Sequence, residues 1–461
     1  MRRSAASASA LFLLLTVALV AGPTRGGAAP HQAAAAATAT YADWTTYHAD
    51  RAHSGYVSSI PAVKGASYVH RSVTLDGAVY ASPIVVGGHT IIATENNSVY
   101  SLSPGGTVLW RKNLGAPVPR SSLPCGNIDP TGITGTPVYS ATENTIYVVA
   151  LLGSPIRHVM VGLRPTGEVV FSRNVDVPSS VPGITPVAMQ QRGALTLEGN
   201  GVWVPYGGLA GDCSSYRGSL VRLDRLAPTT GALMSYTVPT SREAGMWTPP
   251  GPAVDAKGYL YQSVGNGASG VGDPYDFSDS VLKFDGFGHL VDSFSPSTWP
   301  TDNDADKDLG SQGATLVGSS WVFIAGKSGT AYVLNQNHLG GIGAQVSSLS
   351  LCQSFGGTAV VGSTVYVPCT DGVRAVTIDS TGHLHVKWHA ASNIIGSPVV
   401  GGGRVWTLDV GAGKLYGLNP STGAVQNSVS VGSVTRFATP ALYGHLVLVG
   451  TRSGYTVVES T

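Results

Sequence analysis

Short apolar runs with a period of two recur along the chain, and no stretch sustains a 3.6-residue apolar pattern, so the sequence predicts strands and excludes helical solenoids. The runs form a repeat. Starts made of a small residue followed by proline occur in ASPIVV (Pro83), GTPVYS (Pro137), GPAVD (Pro252), GSPVV (Pro398) and ATPAL (Pro440), with weaker equivalents at ALTLE, GATLV and GGTAVV. Second strands follow at TIIAT, TIYVVA, GVWVPYG, YLYQSVG, WVFIAGK, TVYVPCT, RVWTLDV and HLVLVGT. Third strands follow at VYSLS, HVMVGL, SLVRLD, DSVLKFD, TAYVLN, VRAVTID, KLYGLN and YTVVES. Fourth strands close most units after a glycine turn, as in GGTVLWRKNL, TGEVVFSRNV and HLHVKWHA, but the last unit has none of its own. The run YVHRSVTL, Tyr68 to Leu75, has the character of a fourth strand and stands before the first unit. It is expected to complete the last one. Units of about 40 to 45 residues closed in this way predict an all-β fold, an eight-bladed β-propeller of four-stranded blades whose last blade is completed by an N-terminal strand. Ring closure removes the open sheet edges that invite aggregation.

In such a ring, the loops joining second to third strands and those joining one blade to the next emerge on one face. The long segments LGAPVPRSSLPCGNIDPTGITG, GGLAGDCSSYRG, TSREAGMWTPPG, GNGASGVGDPYDFSD and STWPTDNDADKDLGSQ are all of these two kinds, and they belong to blades one to five. Blades six to eight have tight turns. A site grafted onto a symmetric scaffold is therefore expected in that sector of that face.

Composition narrows the class. Residues 1–29 read as an export signal, with Arg2 and Arg3 ahead of the apolar run LFLLLTVALVAG, which is too short to span a bilayer. Residues 30–42, rich in Ala and Thr, read as a disordered lead-in, and 43–461 as the propeller. The expectation is a secreted or extracytoplasmic protein without membrane insertion. A net charge of +1, with Lys and Arg scattered, lacks the footprint of a nucleic-acid binder. Four cysteines, Cys125, Cys213, Cys352 and Cys369, favour two disulfides in an exported chain, with the pairing open. No C-x-x-C-H or C-x-x-C stretch appears, so redox work would need a borrowed cofactor. Of the 12 histidines, His53, His338, His383 and His385 stand in turns or strands without metal spacing, which points to surface roles.

The segment WPTDNDADKDLGSQG places Asp302, Asp304, Asp306 and Asp308 at alternate positions of a chain only 11% charged. Their repulsion must be offset by water or by a cation. Counted from Asp302, the sixth position is Lys307 and the twelfth Gly313, which excludes an EF-hand. The alternatives are a calcium site, to which Asp304 or Asp306, Asn266 and Asp212 would contribute oxygens, and a solvated acidic loop capped by Lys307.

The repeats and the opening DWTTYHADRAHSG resemble the pyrroloquinoline quinone (PQQ) type of propeller, found in quinoprotein alcohol dehydrogenases and in non-enzymatic relatives. GMWTPPGPAVDAKGYLYQSVGNG resembles the family segment with a stacking tryptophan and a calcium-binding asparagine, which implies Trp247 and Asn266. The acidic segment stands where the dehydrogenases carry a catalytic aspartate in a D-x-W-D-like stretch, which implies Asp304 or Asp306. IAGKSGTAYVLN resembles a K-N-G-F-like hairpin with a quinone-facing cation, which implies Lys327. LPCGNIDPTG resembles the loop with adjacent cysteines, and GDCSSYRG the loop that supplies a calcium-binding glutamate. Both depart from the pattern, with a single Cys125 in the first and Asp212 and Cys213 in the second. The D-x-W-D tryptophan is also absent. The resemblance implies a Cys125–Cys213 disulfide tying these loops together, cofactor contacts from Trp247, Cys125, Cys213 and Arg217, and calcium contacts from Asn266, Asp212, Asp304 and Asp306. For Cys352 and Cys369 the structural reading is a bridge from blade six to the loop before it.

Each residue also has a plainer role: Trp247 as blade packing, Asn266 as a left-handed turn, Lys327 as a hairpin residue. Three functions follow. The first is an exported propeller with a degenerate quinoprotein pocket that binds a ligand or calcium without turnover. The second is a PQQ- and calcium-dependent alcohol dehydrogenase, in which Asp304 or Asp306 takes the hydroxyl proton, Lys327 steadies the reduced quinone and electrons leave to an external acceptor. The third is a scaffold for a protein partner.

Overall fold

The computed structural model describes residues 41–461, so the export signal and all of the lead-in but Tyr41 and Ala42 lie outside the described residues. Eight sheets form an eight-bladed β-propeller, and the four main strands of each blade are antiparallel. Blade 1 comprises Ile84–Val86, His89–Ala93, Ser98–Leu102 and Val108–Asn113. The last blade takes its outer strand, Ser67–Thr74, from the N-terminal side of the ring, paired along Gly454–Ser460, as the unpaired run in the sequence required.

The period-two pattern has a specific consequence in this geometry. Successive residues of a strand point to opposite faces of a blade, and each face packs on a neighbouring blade. Ile91 and Val99 pack with Ile146 and Val148 of blade 2, whereas Ile92 and Tyr100 pack with Leu448 and Val457 of blade 8. The middle strands are therefore buried on both faces, as in Thr145–Leu152, and only the outermost strands, such as Val108–Asn113, are mostly exposed.

The acidic segment departs from an all-strand reading. Trp299–Asp304 forms a single turn and a half of helix, with Pro300 in its first turn, where the missing N–H costs nothing. The helix and the turns after it spread the carboxylates, so that Asp302 accepts from Thr298, Asp304 stands beside the N of Val271, and only Asp306 and Asp308 share a partner, Lys327.

A second departure lies at the opposite end of the axis from the long loops. The segment from Trp44 to Val63 runs across the inner strands: Val85, Tyr139, Val254, Val360 and Val400 donate backbone hydrogen bonds to Trp44, Thr45, Arg51, Ser54 and Gly55. Tyr56–Val57 then pairs in parallel with Val400–Gly401. This strap buries Tyr47, His48 and His53, which corrects the expectation of a surface role for His53. The histidine stands in a left-handed turn that folds it back into the axis (φ 57°). His338, His383 and His385 are exposed as expected. Tyr41, at the start of the described chain, packs edge-on against Tyr443.

Candidate functional site

A cavity of about 290 Å³ opens at the axial mouth, at the lower end of the usual range for small-molecule sites. Its lining comes from the loop kinds expected. Asp212 and Asn266 stand in second-to-third-strand loops, Trp247, Asp308 and Phe437 in connections between blades, and Lys327 in a tight hairpin. The long-loop sector supplies Asp212, Trp247, Asn266 and Asp308. Tight connections supply the facing wall, which carries Arg436, Phe437, Phe355 and Arg452.

Asp308 is the centre of the first wall. Its Oδ1 accepts from the backbone N of Asn266 at 2.9 Å and from Trp247 Nε1 at 3.4 Å. The side-chain amide of Asn266, oriented to donate, reaches the same oxygen at 2.7 Å. Lys327 Nζ forms an ion pair with Asp308 Oδ2, and its backbone N donates to the Asp308 carbonyl. Burial pushes the Asp308 carboxyl above its ordinary value, and the Lys327 ammonium opposes the rise. Burial works against the charge on Lys327, but Asp308 and Asp306 hold its pKa above the usual lysine value.

Glycines allow this close assembly. A Cβ on Gly265 would run into the Asp308 carboxylate, and one on Gly326 would stand 2.5 Å from the Asp308 carbonyl. The G-N-G, D-L-G-S and A-G-K stretches are thus three sides of one carboxylate cradle.

The residues expected from the sequence divide into two groups. Trp247, Asn266, Asp212 and Lys327 come together at the cavity. Asn266 does not adopt the left-handed conformation of the plainer reading, since its φ is not positive, and Trp247 is half-buried on the cavity wall. Asp304 and Asp306 lie outside the lining. Asp304 is exposed at the helix end, with Oδ2 3.4 Å from the N of Val271. Asp306 turns outward in a left-handed conformation (φ 51°), its side chain 72% exposed, and meets only the outer side of Lys327 at 2.7 Å. The inward carboxylate is Asp308, two residues further on, because the chain completes the helix and one left-handed residue before it re-enters the axis. The neutralising cation is Lys327, not Lys307.

The two disulfides join Cys125 to Cys213 and Cys352 to Cys369. The first links the blade 1–2 connection to the blade 3 loop and packs against Leu209, so Asn127 and Asp212 beside it reach the lining while the sulfurs do not. Asp212 is left-handed (φ 47°), and its Oδ1 accepts from Tyr216 at 2.5 Å. Arg217 bonds the carbonyls of Thr240 and Pro182 as a loop clamp away from the cavity.

Calcium takes six to eight oxygens. Asp308 is saturated by protein donors, Asp212 is engaged by Tyr216, and Asn266 presents its amide nitrogen to Asp308. Among the His, Cys, Asp and Glu side chains of the described residues, only Cys352, Cys369 and Asp371 bring three ligand atoms together, and the two cysteines are spent in a disulfide. The cradle does not fit calcium. A flat, multiply charged cofactor fits better, since Trp247 offers a face and the cavity carries four cations against two carboxylates.

Sequence reasoning passed over Asp308 as the inward carboxylate, and missed Arg192, Arg436, Phe437 and Tyr80 altogether. A signal for two of them was present: Tyr80 and Phe437 each stand three residues before a Pro of the repeat start, Pro83 and Pro440, at the end of a connection on the mouth face.

The β-propeller fold is shared with several solved structures. The quinohemoprotein alcohol dehydrogenase of Comamonas testosteroni matches with a TM-score of 0.64 at 16% identity, over 91% of this chain and 80% of that one. The quinohemoprotein alcohol dehydrogenase ADHIIG of Pseudomonas putida HK5 gives 0.67 at 15%, over 90% and 79%. BamB from Moraxella catarrhalis gives 0.59 at 15%, over 86% and 98%. Residues 299–460 match the family model described as outer membrane protein assembly factor BamB. No curated protein matches the sequence. The chain thus has a β-propeller fold similar to that of the quinohemoprotein dehydrogenases and BamB, the kind of propeller that the repeats resemble. Its two disulfides are compatible with an extracytoplasmic location, and among the described residues no helix is long and apolar enough to cross a membrane.

Proposed function

We propose that the mouth cavity binds a flat small molecule of the quinone-cofactor kind, for which PQQ is the natural probe, and that the chain is an exported binding protein rather than a dehydrogenase. The observation that carries this reading is the wall formed by Trp247, Asp308 and Lys327. An indole face for stacking stands beside a buried ion pair, and all three line one cavity. Asp308 is the residue that disfavours turnover. The carboxylate in position to take a proton is already held by Lys327, by Asn266 and by Trp247, and no calcium cradle stands beside it to polarise a quinone. One observation favours catalysis as the second reading: burial raises the Asp308 carboxyl, which moves it toward the range of a general base. Assembly with a protein partner is the third, supported by the family description over residues 299–460.

The test is purified protein mixed with PQQ, with and without calcium and a primary alcohol, followed by melting temperature and by reduction of an electron-accepting dye. Stabilisation by PQQ, unchanged by calcium and without dye reduction, is the expected result. Alcohol-dependent dye reduction would replace the binding reading with the catalytic one, and no response to PQQ would leave the scaffold.

A further inference from the structure

The strap across the base of the ring passes one blade without bonding it and leaves a cavity there. Val85, Tyr139, Val254, Val360 and Val400, which give their N–H groups to the strap, hold the same position on the innermost strands of their blades, where the N–H turns away from the second strand. Leu197, paired with Val202, holds that position in blade 3, and neither its N–H nor its carbonyl has a partner among the described residues. Thr45 bonds blade 2 and Arg51 bonds blade 4. Between them the chain turns into the axis through left-handed His48 (φ 53°) and Ala49 (φ 71°), which carries it past blade 3. The space left is about 370 Å³, walled by strap residues within 45–51 and by residues 138–142 and 196–199 of blades 2 and 3, within the usual range for small-molecule sites. Blades 5 and 8 are also passed over, but there the corresponding Leu316 and Leu442 are buried.

The charged groups of this cavity are already satisfied by the protein. Arg51 pairs with Glu198 at 3.0 Å, Asp50 accepts from the N of Ala52 at 2.9 Å and of Ser54 at 3.1 Å, and Arg225 bonds Glu143, Ser140 and the Gly199 carbonyl. What remains is a set of hydrogen-bonding groups without net charge. It comprises the edge of Leu197, the hydroxyls of Thr45, Thr46 and Thr142, none of them bonded among the described residues, and the buried Nε of Arg225, which has no partner and whose charge Glu143 balances.

We infer that the cavity under blade 3 binds a neutral polyol, a pyranose sugar, whose adjacent hydroxyls meet the N–H and carbonyl of Leu197 while the threonines meet hydroxyls elsewhere on the ring. A hydroxyl both donates and accepts, so one vicinal pair satisfies both groups of a single edge residue. The threonines stand on the strap and on the turn of blade 2, away from that edge, so the ligand must present partners in several directions. Ring hydroxyls do so, whereas an extended peptide presents its amides along two lines only. The site lies at the opposite end of the axis from the mouth and does not depend on what the mouth binds.

The experiment is saturation-transfer NMR and calorimetric titration of the full chain with the methyl glycosides of glucose, galactose and mannose, and with acetyl-trialanine amide as the peptide counterpart. At least one glycoside is expected to bind wild type, with an affinity that raising the salt concentration leaves unchanged. L197P deletes the free N–H at an edge position where proline is tolerated, and should weaken binding about fivefold, the equivalent of one neutral hydrogen bond. T142F fills the rim from an exposed turn and should abolish binding while the melting temperature stays that of wild type. If L197P fails to fold, T142V removes one exposed hydroxyl in its place, with the same loss of about fivefold expected. No saturation transfer from any of the three glycosides, or equal binding by wild type and T142F, overturns the proposal. Binding of the peptide amide without the sugars also overturns it and makes the Leu197 edge a peptide site.

Discussion

The strap beneath the ring makes the fold acid-labile in a way that can be worked out from two side chains. His48 and His53 are buried, none of their four ring nitrogens has a hydrogen-bond partner among the described residues, and Tyr47 stacks on His48 with ring centres 4.2 Å apart. Burial lowers both imidazoles from 6.5 to about 3, with the neighbouring His48 adding to the effect on His53. A base whose folded pKa is depressed stays neutral in the fold while the unfolded chain takes up a proton. The stability contribution is therefore intact above pH 6.5 and is lost progressively as the pH falls toward 3. At pH 4.5 each histidine is about two units below its unfolded pKa, which at 1.36 kcal/mol per unit amounts to about 3 kcal/mol each and about 5 for the pair. Glu95 acts in the opposite direction: burial raises it to about 7, so its unfavourable contribution appears as the pH rises through about 4.5 to 7 and is relieved in acid. The wild-type profile mixes both effects, and the measurement must be a difference. In H48N/H53N the asparagines tolerate the left-handed backbone at 53° and 57° and cannot titrate. The variant is expected to unfold more easily than wild type at pH 7.5, because the stacked rings are gone. By pH 4.5 the gap should narrow or reverse by about 5 kcal/mol in denaturant titrations, and either single variant should show about half of this. A gap of the same size at both pH values would refute the linkage.

Two further outcomes probe the carboxylate cradle. G265A places a methyl group against the Asp308 carboxylate, so it should weaken PQQ binding by tenfold or more while far-ultraviolet circular dichroism stays that of a β protein; undiminished binding would show that Asp308 is not part of the seat. Asp279 is buried behind the cradle, with Oδ1 accepting from the N of Leu309 and Oδ2 without a partner, and burial raises its pKa well above the usual carboxylate value. A raised acid costs stability at every pH above its unfolded pKa, so D279N should raise the melting temperature at pH 8 and do so less at pH 4, and an equal change at both would contradict the assignment.

The ring itself was legible because its chemistry is repetitive. Eight starts, eight second strands and a fourth strand displaced to the N-terminal side of the ring leave little freedom once closure is required, and Ser67–Thr74 takes the place that the pattern left vacant. The sector of the site was legible for a similar reason, since the long loops had to share a face. The register of the aspartate was not. Asp302, Asp304, Asp306 and Asp308 are equivalent by composition, and only the helix at Trp299–Asp304 followed by a left-handed Asp306 determines which one returns to the axis. His53 was misplaced for a related reason: a polar residue in a turn-rich stretch reads as exposed unless the path of that stretch across five blades is known.

The wall of Phe355, Arg436, Phe437 and Arg452 was invisible for the opposite reason, because it comes from tight connections with no insertion to attract attention. That has a physical consequence for how the site is divided. The long loops of blades 3 and 4 and the connection into blade 5 supply a seat, Trp247 and the Asp308 cradle, whose rigidity comes from glycine-mediated backbone contact. The short connections supply charge on side chains whose planes are fixed by stacking. The two walls meet at Phe437, which touches Trp247 on one side and two guanidinium groups elsewhere. Beneath them a smaller void lined by Tyr80, Arg192 and Phe437 extends toward Tyr47, which donates to or accepts from Thr439 and carries the histidine stack of the strap. Tyr47 is therefore shared by the floor of that void and the acid-sensitive strap, since its ring stacks on His48 while its hydroxyl meets Thr439 of the last blade.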